Sequence, residues 1–335
     1  MDAAPIHTPT IRDVARAAGV SHQTVSRVLN EHPNVSRATR ERVSTAIAKL
    51  GYQPSRAAVS LATNQSRMLG ILTASTTQYG PISGIAGIEQ AARSAGYWVC
   101  TVDVDPHDRK SIVDGLDHLY HLGIDGLVVI APQRPVLDVL NRHPLRGPVV
   151  TLGSTTTLGA MSLTVDQTGG ARAATRHLLE NGHTRIAHIG GPADWEEAAV
   201  RAAAFNEELL ASGIAPGPTV LGDWTSASGY RAARRLLDFR PTGVFAANDQ
   251  MALGAIHAFN EAGLRVPDDV SIVGFDDLPD ASHFAPPLTT VRQDFTELGR
   301  AAVDLLLGIK KEMLVERQPQ LVLRDSVRDV RDLAT

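Results

Sequence analysis

Thr10-Ile11-Arg12-Asp13-Val14-Ala15-Arg16-Ala17-Ala18-Gly19-Val20-Ser21-His22-Gln23-Thr24-Val25-Ser26-Arg27-Val28-Leu29-Asn30 is the stretch from which the rest of the chain is read. Thr10 and the acid three residues on can cap a helix, because both side chains serve backbone groups that a first turn leaves free. Ile11, Val14, Ala15 and Ala18 then recur at i, i+3, i+4 and i+7, a single apolar face. Gly19 stops that helix, and Ser21 starts another. Val25, Val28 and Leu29 form its inner face, and His22, Gln23, Ser26, Arg27 and Asn30 its outer one. A third helix is predicted from about Ser36 to Leu50, with Val43, Ala46, Ile47 and Leu50 inward and Gly51 as its stop. Two short helices joined by Ala18-Gly19-Val20-Ser21 read as a helix-turn-helix. Its second helix offers groups that read base edges, since glutamine pairs bidentately with adenine and arginine with guanine. A plain three-helix cap with a solvated polar face has the same periodicity, so spacing alone leaves both readings open.

Charge is distributed in keeping with a nucleic-acid-binding head. The net charge is −4, yet residues 1–67 carry nine Arg/Lys against four Asp/Glu, which is +5 and leaves −9 on the remainder. A basic head on an acidic body suggests that only the head meets a polyanion. At 335 residues with 43% hydrophobic and 20% charged, the chain is an ordinary globular one of two or three structural units. No run approaches the about 18 apolar residues of a membrane span. The start Met1-Asp2-Ala3-Ala4-Pro5 lacks the basic and apolar regions of a signal peptide, so a cytoplasmic protein without a membrane partner is expected. The single cysteine, Cys100, lies in the apolar run Tyr97-Trp98-Val99-Cys100-Thr101-Val102 and is expected to be a buried, inert thiol.

From Met68 onward, β-rich runs at 68–73, 97–102, 125–130, 148–152, 185–190, 219–222, 242–247 and 270–275 alternate with helical patterns such as 83–95, 168–181, 226–238 and 249–263. Alternation of this kind predicts a doubly wound, mostly parallel sheet. The roughly 270 residues available exceed one such sheet, so two lobes with a cleft are expected. Ligands of parallel sheets bind beyond the carboxyl ends of the strands. Trp195, Trp224, Asn248-Asp249 and Asp276-Asp277 all fall on that edge. Indoles can stack on a pyranose, while amides and carboxylates bond hydroxyls in fixed directions. Each residue also has a plainer role open to it: Trp as a core anchor, Asn248 as a helix cap, Asp277 as a turn-former.

The head motif resembles the N-terminal signature of the LacI/GalR family of repressors. The likeness continues through Val35-Ser36, Thr39-Arg40-Glu41-Arg42-Val43 and Gly51-Tyr52-Gln53-Pro54-Ser55-Arg56-Ala57-Ala58, and in all covers essentially the whole chain. It implies that His22, Gln23 and Arg27 enter the major groove, while Thr24, Ser26 and Asn30 hold phosphates or the docking geometry. It also implies that Ser55 to about Thr63 forms a hinge helix only on DNA, with Ala58 in the minor groove and Leu61 wedging the central base step. Pro54 followed by a few good helix formers fits that reading, since so short a helix is unstable alone; a passive linker fits as well. The residues expected to meet DNA are Ile11, Ser21, His22, Gln23, Thr24, Ser26, Arg27, Asn30, Asn34, Arg56, Ala58 and Leu61.

Further along, Leu221-Gly222-Asp223-Trp224-Thr225-Ser226-Ala227-Ser228-Gly229-Tyr230, Ala247-Asn248-Asp249-Gln250-Met251-Ala252-Leu253-Gly254, Gly274-Phe275-Asp276-Asp277 and Pro286-Pro287-Leu288-Thr289-Thr290-Val291-Arg292-Gln293-Asp294-Phe295 are similar to the lactose-repressor branch. That likeness implies sugar contacts at Trp224, Asn248, Asp276 and Phe295. The effector-binding set expected is Tyr79, Pro81, Trp195, Arg201, Trp224, Asn248, Asp276, Gln293 and Phe295. The fold implied is α/β: a three-helix head (1–54), a hinge helix or linker (55–66), and a two-lobe doubly wound parallel-sheet core (67–335) resembling periplasmic sugar-binding proteins. Lobe one would comprise about 67–165 and 292–318, and lobe two about 166–291 and 319–335. The crossovers would lie near Val165-Asp166, Val291-Arg292 and Gln318-Pro319.

Two positions depart from that branch. Where it carries an effector-binding arginine this chain has Ala199, with Arg201 two residues on, and where it carries a sugar-binding aspartate after the fourth strand this chain has Gly153. Trp195 is a candidate second stacking surface, which suits a longer or differently linked saccharide. The expected function is a sequence-specific transcriptional repressor of carbohydrate-utilisation genes, bound to a pseudo-palindromic double-stranded operator and controlled by a mono- or oligosaccharide, with no cofactor. The rivals are a sugar-processing enzyme and a sugar-binding protein without regulation. Against an enzyme, the sequence has no GxGxxG after a strand, P-loop, HExxH or nucleophile elbow, and His177, His183 and His188 lack metal-ligand spacing. The tail from Arg324 to Thr335 has no heptads, so a homodimer is expected rather than a tetramer.

Overall fold

The computed structural model describes residues 9–29, 32–52, 65–74, 78–153, 160–309 and 314–331. The chain divides into two compact units between Ser66 and Arg67.

In the first unit the capping chemistry is made in full. Helix α1 (Ile11–Ala18) starts with Thr10 Oγ1 accepting from Asp13 N, and the Asp13 carboxylate accepting in return from Thr10 N at 2.9 Å. It stops at Gly19, whose φ of +62° is the left-handed conformation glycine adopts without strain. Ser21 Oγ accepts from Thr24 N at 3.2 Å and opens α2 (His22–Leu29); Ser36 caps α3 (Arg37–Leu50). Val14, Val25 and Val43 have no exposed surface and, with Ala15, Ala18, Val28 and Ala46, make the core. Burying each valine contributes about 1.5–2 kcal/mol, so seven small residues make a modest core, and the caps count toward stability.

The second unit alternates strand and helix. In order it runs β1 (Met68–Thr73), α4 (Tyr79–Ser94), β2 (Trp98–Asp103), α5 (Arg109–His121), β3 (Gly126–Ile130), α6 (Arg134–Leu140), β4 (Val149–Leu152), β5 (Met161–Val165) and α7 (Gln167–Glu180). It continues with β6 (Ile186–Gly190), α8 (Glu196–Ala211), β7 (Thr219–Leu221), α9 (Ser226–Leu236), β8 (Gly243–Ala246), α10 (Asp249–Glu261), β9 (Ser271–Asp276), β10 (Thr289–Arg292), α11 (Phe295–Leu306), β11 (Leu314–Arg317) and β12 (Gln320–Val322). Two six-stranded sheets result, ordered β11-β5-β4-β3-β1-β2 and β12-β10-β9-β8-β6-β7, and every pairing is parallel except β10 with β12. Central strands such as Gly126-Leu127-Val128-Val129-Ile130 are buried throughout, as helix-covered parallel strands must be. These sheets are the cores of two lobes, one and two in that order.

The chain passes from lobe one to lobe two between β5 and α7, returns between β10 and α11, and passes again between β11 and β12. Asp277 holds the second and third passages together: it receives Arg292 Nε and Arg324 Nη2, each at 2.6 Å. β5, β10, β11 and β12 are additional to the strands read from the sequence. All four are short and flank a passage, where pairing is set by the other lobe-spanning segments rather than by a local apolar run. Cys100 is half-buried, not buried as expected, because β2 is an edge strand; Trp98 on the same strand is 60% exposed.

Helices α4 and α11 cross so closely that a Cβ added to Gly299 would lie 2.4 Å from the Gly84 carbonyl oxygen and 2.8 Å from Ile88 N. Gly-to-Ala in a helix ordinarily stabilises by about 1 kcal/mol. Here the obstacles are backbone atoms, so Gly299→Ala should instead lower core stability by about 1–3 kcal/mol. Calorimetry of the variant checks this, and an unchanged or raised melting transition would contradict the packing described.

Candidate functional site

All nine residues singled out for a ligand line one cavity between the lobes: Tyr79, Pro81, Trp195, Arg201, Trp224, Asn248, Asp276, Gln293 and Phe295. The lobe-one wall is mostly apolar, with Pro81, Ile130, Leu152, Phe295 and Leu298; Tyr79 meets Phe295 edge-on at 5.9 Å. That pair depends on the close α4–α11 crossing, since both residues begin their helices. The lobe-two wall carries the polar groups Glu197, Arg201, Asn248 and Asp276, together with both indoles. Trp195 and Trp224 stand at 74° with ring centres 5.5 Å apart, forming a corner rather than two parallel plates.

Local backbone geometry aims these side chains. Trp224, Asp276 and Gly153, all just beyond or at strand carboxyl ends, have φ of +70°, +105° and +83°. For the first two this is strained backbone, of the kind that collects at binding sites. Asn248 is committed to structure: its Oδ1 accepts from Met251 N at 2.9 Å as the α10 cap, and its Nδ2 donates to the Trp224 carbonyl at 3.0 Å. It therefore fixes the indole's backbone as well as lining the cavity. Asp249 and Asp277, on the same edge, do not line the cavity. Asp249 accepts from Thr290 Oγ1 at 2.5 Å and Leu278 N at 2.7 Å, and Asp277 holds Arg292 and Arg324.

Arg201 is 3% exposed and its guanidinium is largely engaged within the protein. Nε donates to Gln167 Oε1 at 2.8 Å and Nη1 to the Ala247 carbonyl at 2.5 Å, and the group lies 4.0 Å from the Phe275 ring centre. Gln167 Nε2 donates to Gln293 Oε1 at 2.8 Å, and Gln293 Nε2 to Asp276 Oδ1 at 2.7 Å. Arg201 and Asp276 are thus joined by a relay of two glutamines. Burial pushes the Asp276 carboxyl up to about 6, against the pull of Arg201 and the Gln293 hydrogen bond.

Sequence reading missed Glu197, Gln167 and Gly191. A Cβ on Gly191 would lie 2.2 Å from the Trp224 ring, so the indole's seat requires glycine there. The Gly190-Gly191 pair at the end of β6 was the available signal. His188, by contrast, is a core residue: burial holds it down to about 4, and it stacks on Phe205 and Phe245. Among the described residues no group of His, Cys, Asp or Glu is placed to hold a metal ion, and no helix is long and apolar enough to cross a membrane.

On the head, His22, Gln23 and Arg27 are exposed on α2, with Thr24 and Ser26 half-buried beside them. Ser21 is exposed, Ile11 is half-buried at the start of α1, and Asn34 is exposed in the turn before α3. Asn30, Arg56, Ala58, Leu61 and the expected hinge as far as residue 64 lie outside the described residues.

Residues 10–55 match the family model of bacterial regulatory proteins of the lacI family, and residues 175–327 match a periplasmic binding protein-like domain. The lactose operon repressor of Escherichia coli (strain K12) is 36% identical over 92% of this chain and 86% of its own length. The chain belongs to the LacI family. Among solved structures, the Lac repressor dimer bound to operator and the anti-inducer ONPF superposes with a TM-score of 0.90 at 35% identity, over 96% of this chain and all of that one. The transcriptional regulator CelR in complex with cellobiose matches with a TM-score of 0.69 at 32% identity, over 95% and 99% of the two chains. This LacI-family chain is a DNA-binding transcriptional regulator with a small-molecule-binding core, and not an enzyme.

The Asp276 carboxyl gives the regulator a testable pH response. Its value near 6 exceeds the ordinary 3.8, so between those values the folded chain holds the proton more tightly. Stability from this group therefore falls as pH rises through about 4 to 6. Asp276→Asn removes the titration and keeps an acceptor for Gln293. Relative to the parent, the variant should gain about 2 kcal/mol between pH 4.5 and 7.5 in denaturant unfolding. An identical difference at both pH values would show that Asp276 is not a buried, proton-binding carboxyl.

Proposed function

We propose that the chain represses carbohydrate-utilisation genes by binding a pseudo-palindromic operator as a homodimer, under the control of a disaccharide-sized saccharide held between the lobes of its core. In this reading residues 1–54 are the DNA-binding domain, 55–66 the hinge helix and 67–335 the effector and dimerisation core, with lobes of 67–165 plus 292–318 and 166–291 plus 319–335. His22, Gln23 and Arg27 read bases; Ile11, Ser21, Thr24, Ser26, Asn30, Asn34 and Arg56 hold the backbone or the docking geometry. Ala58 and Leu61 enter the minor groove. The regulator works in the cytoplasm, where its DNA lies.

The observation that carries the effector reading is the cavity's wall: two indoles set as a corner, with Asp276 and Glu197 as acceptors beside them. Indole faces match the CH faces of sugar rings, and carboxylates match hydroxyls. A corner of two indoles can cover two linked rings. Of the similar proteins, CelR is in complex with the disaccharide cellobiose and the Lac repressor is bound to the anti-inducer ONPF.

Two experiments test the reading. Trp224→Ala should still shift operator DNA in a mobility assay, because α1 to α3 are untouched, yet respond poorly to any saccharide that releases or tightens the parent. Full response by the variant would remove Trp224 from the site. In the head, Gln23→Ala or Arg27→Ala should cost about 1–3 kcal/mol at the preferred operator and relax base choice there. If both variants keep the parent's ranking of operators, α2 is not the reading helix.

A further inference from the structure

Gly153, one of the two positions at which this chain departs from the lactose-repressor branch, lies beside the carboxylate of Glu197. Glu197 leaves the first turn of α8 on lobe two and reaches the end of β4 on lobe one. A Cβ built on Gly153 would lie 2.8 Å from Glu197 Oε1 and 3.3 Å from its carboxyl carbon. A side chain at 153 and this carboxylate therefore compete for one volume. The φ of +83° at Gly153 also favours glycine there.

The carboxylate is lightly satisfied. Its Oε2 accepts from Trp195 Nε1 at 3.3 Å and its Oε1 from Gln167 Nε2 at 3.4 Å, both long for such bonds. An ionised carboxylate has about four acceptor positions, so each oxygen keeps one free. Arg201 attracts it, yet spends Nε and Nη1 on Gln167 and Ala247. Glu197 lines the cavity and is only half-buried, and burial pushes its carboxyl upward, a penalty that a ligand's donors would relieve.

We propose that Glu197 is a specificity-determining acceptor: beside Gly153 it supplies from lobe two the carboxylate that the lactose-repressor branch carries on lobe one, and it accepts from a pair of effector hydroxyls across the cleft. This rests on the saccharide reading above. The carboxylate enters that volume from lobe two, so its oxygens face in other directions than those of a side chain rooted at 153, and the preferred hydroxyl stereochemistry differs accordingly.

Isothermal titration of the full chain with D-glucose, D-galactose, cellobiose and lactose tests it. A sugar that binds the parent should bind Glu197→Gln about tenfold or more weakly, since a charged acceptor is lost. Among monodeoxy analogues of that sugar, the two that each lack one of the accepted hydroxyls should lose less affinity from parent to variant than the other analogues do. Gly153→Ala, which crowds the carboxylate without removing it, should also weaken binding and decides the matter if the glutamine variant does not fold. Binding by Glu197→Gln within about twofold of the parent, or an equal loss for every analogue, would overturn the proposal. Trp224→Ala separates the two readings: loss there with none at Glu197 sinks this proposal alone. No saccharide binding to the parent sinks both.

Discussion

An arginine that is only 3% exposed must be answered by partners of fixed geometry, because an unpaired buried charge costs several kcal/mol. Arg201 is answered by Gln167, the first residue of α7, and by the Ala247 carbonyl just beyond β8. Gln167 in turn engages Gln293, and Gln293 engages Asp276. Gln167 directly follows the first passage between lobes, and Gln293 lies in the second. One buried charge thus fixes both connecting segments and the cavity's carboxylate in a single network. Removing either glutamine leaves its buried partners unsatisfied, a loss of about 1–3 kcal/mol for each orphaned group.

The same network explains how a ligand can act on the lobes. Outside it, the lobes meet through backbone bonds: Glu196 N donates to the Pro132 carbonyl at 3.2 Å and Arg134 N to the Asp194 carbonyl at 3.0 Å, with Gln133 and Trp195 forming an antiparallel bridge. His107 Nε2 lies 3.6 Å from the Asp194 carboxylate across the same gap. Trp195 and Glu197 flank this seam and line the cavity, so a ligand touching them and the lobe-one wall contacts both sides of the joint. Such a ligand favours one lobe arrangement by its difference in affinity for the two, each 1.4 kcal/mol being about tenfold in population.

Sequence reading reached far where structure is local. Thr10, Gly19, Ser36 and Gly51 mark helix ends because capping acts over three or four residues, and the α1–α3 core follows from 3.6-residue periodicity. Trp195, Trp224, Asn248 and Asp276 were legible because a parallel sheet delivers the ends of its strands to one edge. Glu197 was not, since its role depends on the gap at Gly153, which is set by the packing of two lobes distant in sequence. Arg201 lines the cavity, but its engagement by Gln167 and Ala247 follows only from tertiary structure. The four short strands beside the passages were missed for the same reason.

The claim that a saccharide binds across the joint is tested most directly by hydrogen exchange at the Arg134 and Glu196 amides, which make the inter-lobe bonds. On saturation with a binding saccharide, both amides should exchange markedly more slowly, while amides in α1 to α3 of the DNA-free chain stay as they were. Saturable binding that leaves both amides exchanging at the ligand-free rate would contradict the account, because the ligand would then be seated on one lobe alone.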